Sequence, residues 1–551
     1  MRRFCAVLLS VFALVSVGFS QHPQKAVKAY NAAEEAYHKG DYEKAHQQLL
    51  KAVMTDPNYV EAWLLDGEVG MEMKDHDLAL IGYENAMAID SMLFPPAAIV
   101  LARLYDESGS YHKEILLLNW YKKRAKGNAY NDNTVDELLA QATFRDDAMK
   151  HPKNVELENM GKTINTGNDE YVNMLSFDGS MLLFTRKMPM GNGTQQEFLF
   201  YSLWDDEKWS EAQGLTFASR PDDVDFGAAF ISADGRKLYI TGCGWTRNSS
   251  CDIYVSEWGD GQWSRPQRLS ESVNTGSWES QPCVSSDGKE LFFVSRRSGN
   301  ADIYRCWRNA DGTWGEPQNL GEPINTTGTE MAPFLHPDGH TLYFSSDKHL
   351  GMGGFDLFMS RRDDNGQWQT PVNLGFPINT HGDEINFFVA ADGKTAFISS
   401  QREEGNGGYD IYTFELPEEI RSDSANYLAT VNVTELTPGD AVILQNIQFE
   451  YNSAALTEDS QMGIQMLTDF LSRNPKLKVE LAGHTDDVGS ATYNLKLSSE
   501  RAEVVRVALI DMGIEEGRLT AKGYGATKPL ISNDSEEHRA MNRRTEMIII
   551  D

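Results

Sequence analysis

An acidic-glycine turn recurs five times through the middle of this 551-residue chain, and that recurrence restricts its fold more than any other feature. It is spelled SFDG at Ser176–Gly179, SADG at Ser232–Gly235, SSDG at Ser285–Gly288, HPDG at His336–Gly339 and AADG at Ala390–Gly393. The aspartates Asp178, Asp234, Asp287, Asp338 and Asp392 stand 56, 53, 51 and 54 residues apart. Asp-Gly marks a tight hairpin because both residues tolerate positive φ. An alternating apolar strand follows each turn, as in KLYIT from Lys237 or TLYFS from Thr341. A third strand opens with DIY at Asp252, Asp302 and Asp410, or with DLF at Asp356. A tryptophan comes next (Trp209, Trp263, Trp314 or Trp368), then usually an Asn-Leu-Gly-x-x-Ile-Asn-Thr phrase. The tryptophan is expected to fill the gap between neighbouring sheets, with its indole N–H on a nearby acceptor. Three to four short strands per unit of about fifty residues, repeated five times, predict an all-β propeller over 155–417, with five or six blades.

Ahead of it, residues 24–150 repeat every 34 positions and read as helices. Ala33 and Gly67, Ala45 and Ala79, and Ala52 and Ala86 are each 34 apart, with Tyr37, Met71 and Tyr105 in one register. Small residues at fixed offsets let paired helices approach closely. The segment resembles tetratricopeptide repeats, two clear and a third degenerate, which implies an α-solenoid presenting a concave surface to a protein partner.

Arg2 and Arg3 followed by the apolar run Phe4–Val17 predict a signal peptide over 1–20 and export to the periplasm. No cysteine stands where a lipid could be attached after cleavage. The formal charge of −31 excludes nucleic acid as a main partner, since like charges repel. Cys243 and Cys251 flank one hairpin loop and are the pair placed for a disulfide, whereas Cys283 and Cys306 fall on first and third strands of one unit. No cysteine pair has metal or redox spacing, and no metal or cofactor is expected.

A polar connector at 418–440 leads to a last region, 441–551, that alternates strand and helix. Ile447, Phe449 and Tyr451 share one face of a first strand, and Asp459–Arg473 reads as a helix. Leu477, Val479 and Leu481 mark a second strand, Asn494–Met512 a second helix, and Leu519–Gly523 and Thr545–Ile550 two more strands. The order β-α-β-α-β-β predicts an α+β domain, a mixed sheet with helices on one side. Three phrases here carry chemistry: GHTDDVG (Gly483–Gly489), NLKLSSERA (Asn494–Ala502) and MNRRTE (Met541–Glu546). Asp486 on a loop and Arg501 on a helix, fifteen positions later, can clamp a zwitterion by its two ends.

This constellation resembles the OmpA-like peptidoglycan-binding domain. The resemblance implies a diaminopimelate-containing stem peptide as ligand, which offers an ammonium and a carboxylate on one carbon. Asp486 would take the ammonium, and Arg501 would hold the carboxylate through its planar fork, which a lysine cannot reproduce. Asn494, Arg543 and Arg544 would support them, with Phe449, Tyr451 and Asn452 near the pocket wall. Plainer roles stay open: a turn or helix-capping carboxylate for Asp486, an exposed pair with Glu500 or Glu503 for Arg501, and a fold brace for Arg543 or Arg544.

Catalytic spellings fail. Gly161-Lys162-Thr163 and Gly393-Lys394-Thr395 lack the leading glycine of a phosphate loop, since Glu156 and Phe388 stand there. No enzyme is expected. The order of solenoid, TolB-type WD40-like propeller and OmpA-like domain resembles exported envelope proteins that include the PorE-like component of the type IX secretion system. The chain departs from that type in its missing lipidation cysteine and its lack of a carboxypeptidase-regulatory-like domain. The expectation is a non-catalytic scaffold in the periplasm, peripheral to the outer membrane, binding peptidoglycan and envelope proteins. A Tol-Pal-like linker between membrane and wall is an alternative, and a propeller-based hydrolase or glycan receptor is another of a different class.

Overall fold

The computed structural model describes residues 22–550 apart from 93, 125–131, 177–178, 192, 205–207, 220–224, 234, 245–249, 260, 364, 403, 423–436, 445–446, 448, 451–452, 458–459, 531, 534–538 and 540–541. The expected signal peptide therefore lies outside the described residues, as does most of the connector. The chain divides into two compact units, Met1–Lys150 and His151–Asp551.

The first unit is a run of helical hairpins: Gln24–His38 with Tyr42–Thr55, Val60–Met73 with His76–Ile89, and Ala97–Glu107 with Tyr111–Arg124, followed by Asp132–Lys150. Asp41 and Asp75 cap the second helix of the first two hairpins, accepting from the Lys44 and Leu78 N–H groups. Capping by a short carboxylate satisfies donors that the first helical turn cannot use. Ala33, Ala45, Ala52, Ala79 and Ala86 are buried, as the 34-residue register requires. Gly82 packs so tightly on Gly67 that an added Cβ would lie 2.4 Å from the Gly67 nitrogen.

In the second unit, Gly179, Gly235, Gly288, Gly339 and Gly393 all turn at φ between 70° and 74°, and each begins a hairpin. They organise five small antiparallel sheets, each a meander of short strands. The first holds Asp169–Leu175, Met181–Pro189, Gln195–Leu203 and Gln213–Gly214, and the second holds Asp225–Ile231, Lys237–Cys243, Cys251–Gly259 and Gln267–Arg268, with Gln262–Trp263 off the path. The third runs Glu279–Val284, Glu290–Ser295, Asp302–Trp307 and Gln318–Asn319, and the fourth Glu330–Leu335, Thr341–Ser346, Asp356–Arg361 and Val372–Asn373. The fifth, Glu384–Val389, Thr395–Ser400 and Asp410–Glu415, takes its fourth strand from Glu158–Asn159, ahead of the first sheet.

Neighbouring sheets are tied by hydrogen bonds. Thr185 Oγ1 donates to Gly227 O, the Gln281 N–H to Thr241 Oγ1, the Ala332 N–H to Gln281 Oε1, and Ser345 Oγ to Ile385 O. The Val172 N–H, in the first sheet, donates to Ser399 Oγ in the fifth at 2.7 Å. One apolar cluster draws on the second strand of every sheet, with Phe184, Ile240, Phe292, Phe344 and Ile398 all buried.

The Ile-Asn-Thr phrase has a structural task. Asn274, Asn325 and Asn379 each accept from the backbone N–H just after the first aspartate of the third strand, and each donates back to the same residue's carbonyl. Asn165 does this to Ile411 of the fifth sheet. The adjoining Thr166, Thr275, Thr326 and Thr380 hold Glu170, Glu279, Glu330 and Glu384 through both N–H and hydroxyl. Buried carboxylates are tolerated because these donors replace water.

Trp314 meets Tyr239 and Trp368 meets Phe292, each across to the preceding sheet. The expected indole acceptor is missing for Trp368, whose buried Nε1 has no hydrogen-bond partner among the described residues. Phe292 and the Arg362 guanidinium, 5.6 Å from the ring centroid, pack against that ring. Cys243 and Cys251 form a disulfide, and Cys283 and Cys306 are buried thiols on strands separated by Glu290–Ser295. Two glycine-rich loops, at 351–354 and 405–408, are filled by neighbouring chain: a Cβ on Gly353 would lie 2.2 Å from Gly382 O, and one on Gly407 2.0 Å from Asn168 O. Past the fifth sheet, Ile420 is still buried in the same apolar cluster, and its carbonyl accepts from Tyr343 Oη at 2.9 Å.

Glu114 of the first unit is 2% exposed, its Oε2 without a hydrogen-bond partner among the described residues. Burial, reinforced by Asp106 and opposed by Arg145, pushes its carboxyl up to about 8. The folded state thus binds this proton more tightly than the unfolded chain, so the stabilisation is complete below the ordinary carboxyl range and is lost as pH rises through the folded value. The thermal midpoint of the helical region should fall between about pH 5 and pH 8. Glu114→Gln should flatten that slope and raise the midpoint at the alkaline end, as read by circular dichroism.

Candidate functional site

The C-terminal region builds a four-stranded sheet in the order Ala441–Ile443, Thr545–Ile549, Val479–His484, Leu519–Gly525, with only the last pair parallel. The expected strand through Ile447, Phe449 and Tyr451 lies partly outside the described residues, and Phe449 makes an isolated bridge with Leu456. Helices Ser460–Arg473 and Ala491–Asp511 feed one apolar cluster with the sheet, through Leu467, Phe470, Val505 and Leu509 against Val479, Leu481 and Met547. The long helix presses against two strand ends. A Cβ on Gly483 would lie 2.2 Å from Ser498 O, and one on Gly523 2.3 Å from the Ser499 nitrogen. This contact brings the loop after His484 beside the helix face that carries Asn494 and Arg501.

Asp486 is buried at that corner. Its Oδ1 accepts from the Val488 N–H at 2.9 Å, and its Oδ2 from Arg543 Nη1 at 2.8 Å. Asn494 Nδ2 donates to the Asp486 carbonyl at 3.0 Å and so fixes the loop from the helix. Asp486 is therefore both a turn carboxylate and a member of an ion pair.

Arg501 is half-buried. Its Nε donates to Ser453 O at 2.9 Å, and its guanidinium lies 4.9 Å from the Phe449 ring centroid. Burial, together with the charge of Arg543, lowers its pKa, while Tyr493 and Asp486 act the other way. Among the described residues no carboxylate pairs with it. Glu500 pairs with Lys496 and Glu503 with Arg506, so neither forms the exposed pair left open above. The structure thus brings Asp486, Asn494, Arg501, Arg543 and Phe449 together. Tyr451 and Asn452 lie outside the described residues.

Arg544 is not in this group. It turns into the domain, where Nε donates to Glu546 Oε1 at 2.7 Å. Burial raises the Glu546 carboxyl, but His484 and Arg544 outweigh it and hold the group at about 2. The His484 ring stacks on Tyr524 at 5.3 Å. Of the two adjacent arginines, Arg544 braces the fold and Arg543 faces the site. Two contacts escaped the sequence reading. The Ser453 carbonyl positions Arg501, and Arg539 pairs with Asp487 at 2.9 Å, tying the loop to the segment before Arg543.

A carboxylate and two guanidiniums thus meet at a glycine-contacted strand–helix corner of an α+β domain. The family model described as "OmpA family" matches residues 448–543. Outer membrane porin F of Pseudomonas fluorescens is 39% identical over 101 residues, 18% of this chain and 31% of the porin. The probable lipoprotein YiaD of Escherichia coli K12 is 31% identical over 160 residues, 28% of this chain and 72% of YiaD. The peptidoglycan-binding protein ArfA of Mycobacterium tuberculosis H37Rv is 32% identical over 103 residues, 19% of this chain and 32% of ArfA. The chain belongs to the OmpA family, and it spans less than a third of the porin's length.

The two arginines should separate in an unfolding experiment. Arg544→Ala leaves Glu546 buried beside one fewer cation and should cost the domain about 3–5 kcal/mol. Arg543→Ala, whose guanidinium is 36% exposed, should cost less than Arg544→Ala in the same denaturant titration.

Proposed function

We propose that the chain is a non-catalytic scaffold of the cell envelope whose C-terminal domain grips peptidoglycan. Asp486 takes the ammonium of the diaminopimelate side chain and Arg501 its carboxylate, with Asn494 holding the loop and Phe449 the guanidinium plane. The observation that carries this reading is Arg501 itself: a half-buried guanidinium with no carboxylate of its own among the described residues, within electrostatic reach of Asp486. ArfA, peptidoglycan-binding by name, supports the ligand class through its likeness to this domain.

In this reading, residues 24–150 form a tetratricopeptide-type solenoid and the five sheets a five-bladed propeller. The bond from Val172 to Ser399 and the pairing of Glu158–Asn159 with the fifth sheet support a closed ring. The two regions would hold protein partners while the terminal domain holds the wall, in the periplasm and peripheral to the outer membrane. Among the described residues no helix is long and apolar enough to cross a membrane. Membership of a type IX secretion or related envelope machine follows the domain order. Capture of such components by residues 22–422 would support it, whereas a bound glycan that is turned over would favour the hydrolase alternative.

Intact sacculi should sediment the full chain. Each of Asp486→Ala and Arg501→Ala should lower the bound fraction about tenfold or more at matched concentration, with the domain still folded by circular dichroism. Wild-type binding in both variants would refute the assignment.

A further inference from the structure

Three of the buried glutamates in the sheet region have an arginine beside them. Arg186 Nε donates to Glu170 Oε1 at 2.7 Å, and Arg297 Nη2 lies 3.6 Å from Glu279 Oε1. The Arg402 charge bears on Glu384, whose carboxyl burial pushes up. These arginines occupy one place in the repeat. Each donates to the carbonyl ahead of the Asn-Thr pair, on Ile164, Val273 or Ile378. Each also covers a ring of the third strand, Phe200, Tyr304 or Tyr412. The second sheet has Phe226 opposite Gly242, where the third has Glu279 opposite Ser295, and so buries no charge there. In the fourth sheet a histidine holds the arginine's place. His349 Nε2 is 2.9 Å from the Ile324 carbonyl, and its ring centroid is 5.1 Å from that of Phe358. A carbonyl only accepts, so Nε2 carries a proton and Nδ1 is left to take a second. Glu330 is as buried as its counterparts and makes no ion pair among the described residues. Ser346 links the two: its hydroxyl donates to Glu330 Oε1 at 2.8 Å and accepts from the His349 N–H at 3.3 Å.

We propose that His349 is a pH-sensitive counter-charge that tightens the seam between the fourth and fifth sheets when protonated. The charged ring supplies the cation that arginine supplies permanently in the other sheets. The neutral ring leaves Glu330 to Thr326 and Ser346 alone. Surrounding charges favour the imidazolium. Asp347 and Lys348 on its own loop, Glu330 on the first strand, Asp356 on the third and Asp383 of the fifth sheet set four carboxylates against one ammonium. Histidine changes charge between about pH 5 and 8, whereas arginine does not. The stabilisation from the charged ring is therefore complete at the acid end of that range and is lost as pH rises through it. The segment that loosens is the loop at 347–355, which His349 pins and which reaches the fifth sheet. There the Gly354 N–H donates to Gly382 O at 3.1 Å and the Phe355 N–H to Asp383 Oδ1 at 2.9 Å. The device operates whether or not the terminal domain binds the wall.

Hydrogen exchange of the full-length chain, read by mass spectrometry at about pH 6 and pH 8 with times scaled to the intrinsic rates, tests the device. In wild type, 324–335 and 347–355 should lose protection about fivefold or more at the higher pH, while the equivalent stretches 164–175 and 273–284 keep theirs. His349→Arg should hold the acid-side protection at both pH values, and His349→Gln should show the alkaline-side level at both. Glu114 titrates in a separate compact unit, so its effect does not fall in these stretches. An equal pH response in the first, third and fourth sheets, or one that persists in His349→Arg, would overturn the proposal. The wild-type comparison between sheets decides it even where a variant does not fold.

Discussion

The corner that holds Asp486 and Arg501 depends on a backbone contact. Helix Ala491–Asp511 runs so close to the sheet that positions 483 and 523 have no room for a side chain. That approach brings the strand end at His484 against the helix face of Asn494 and Ser498, and it carries Arg501 into reach of a carboxylate fifteen residues earlier. A larger residue at 483 would move the loop, and with it Asp486, before it disturbed the apolar core beneath. The glycine of the Gly-His-Thr-Asp phrase is thus as much a determinant of the site as the charges, although it bears none.

A buried charge must find a partner or lose its charge, and the molecule handles this in two ways. In the sheet region, Glu170, Glu279, Glu330 and Glu384 lie fully buried, each gripped by a threonine N–H and hydroxyl, so the cost of burial is met locally and repeated unit by unit. At the terminal site the balance is incomplete: Asp486 has Arg543, while Arg501 has a carbonyl and an aromatic face. In the repeat network the threonine donors are spent on the glutamates beside them. At the terminal corner, Arg501 has no carboxylate of its own among the described residues.

The residues that announce themselves in the sequence are those whose conformation or charge has few uses. The five Asp-Gly turns declared the sheet units because positive φ at glycine is hard to satisfy otherwise, and all five glycines turn that way. Asp486 and Arg501 were legible because opposite charges at a loop–helix spacing suit a zwitterion. Arg543 and Arg544 were not separable, since adjacent residues of one type diverge only once the position of Glu546 is known. The threonine–glutamate grip was present as a recurring four-residue spacing after Ile-Asn-Thr, but without burial it reads as an ordinary polar phrase. The acceptor assumed for Trp368 failed for the same reason: an indole's surroundings depend on the neighbouring sheet, here Phe292, rather than on its own repeat.

The most direct measurement is a crystal structure of the chain soaked with a diaminopimelate-terminated stem peptide. The clamp assigned to Asp486 and Arg501 requires the ligand carboxylate within hydrogen-bond distance of Arg501 and its ammonium on Asp486. A peptide bound elsewhere, or a corner that keeps its free-state ion pair with no ligand density at saturating peptide, would contradict it.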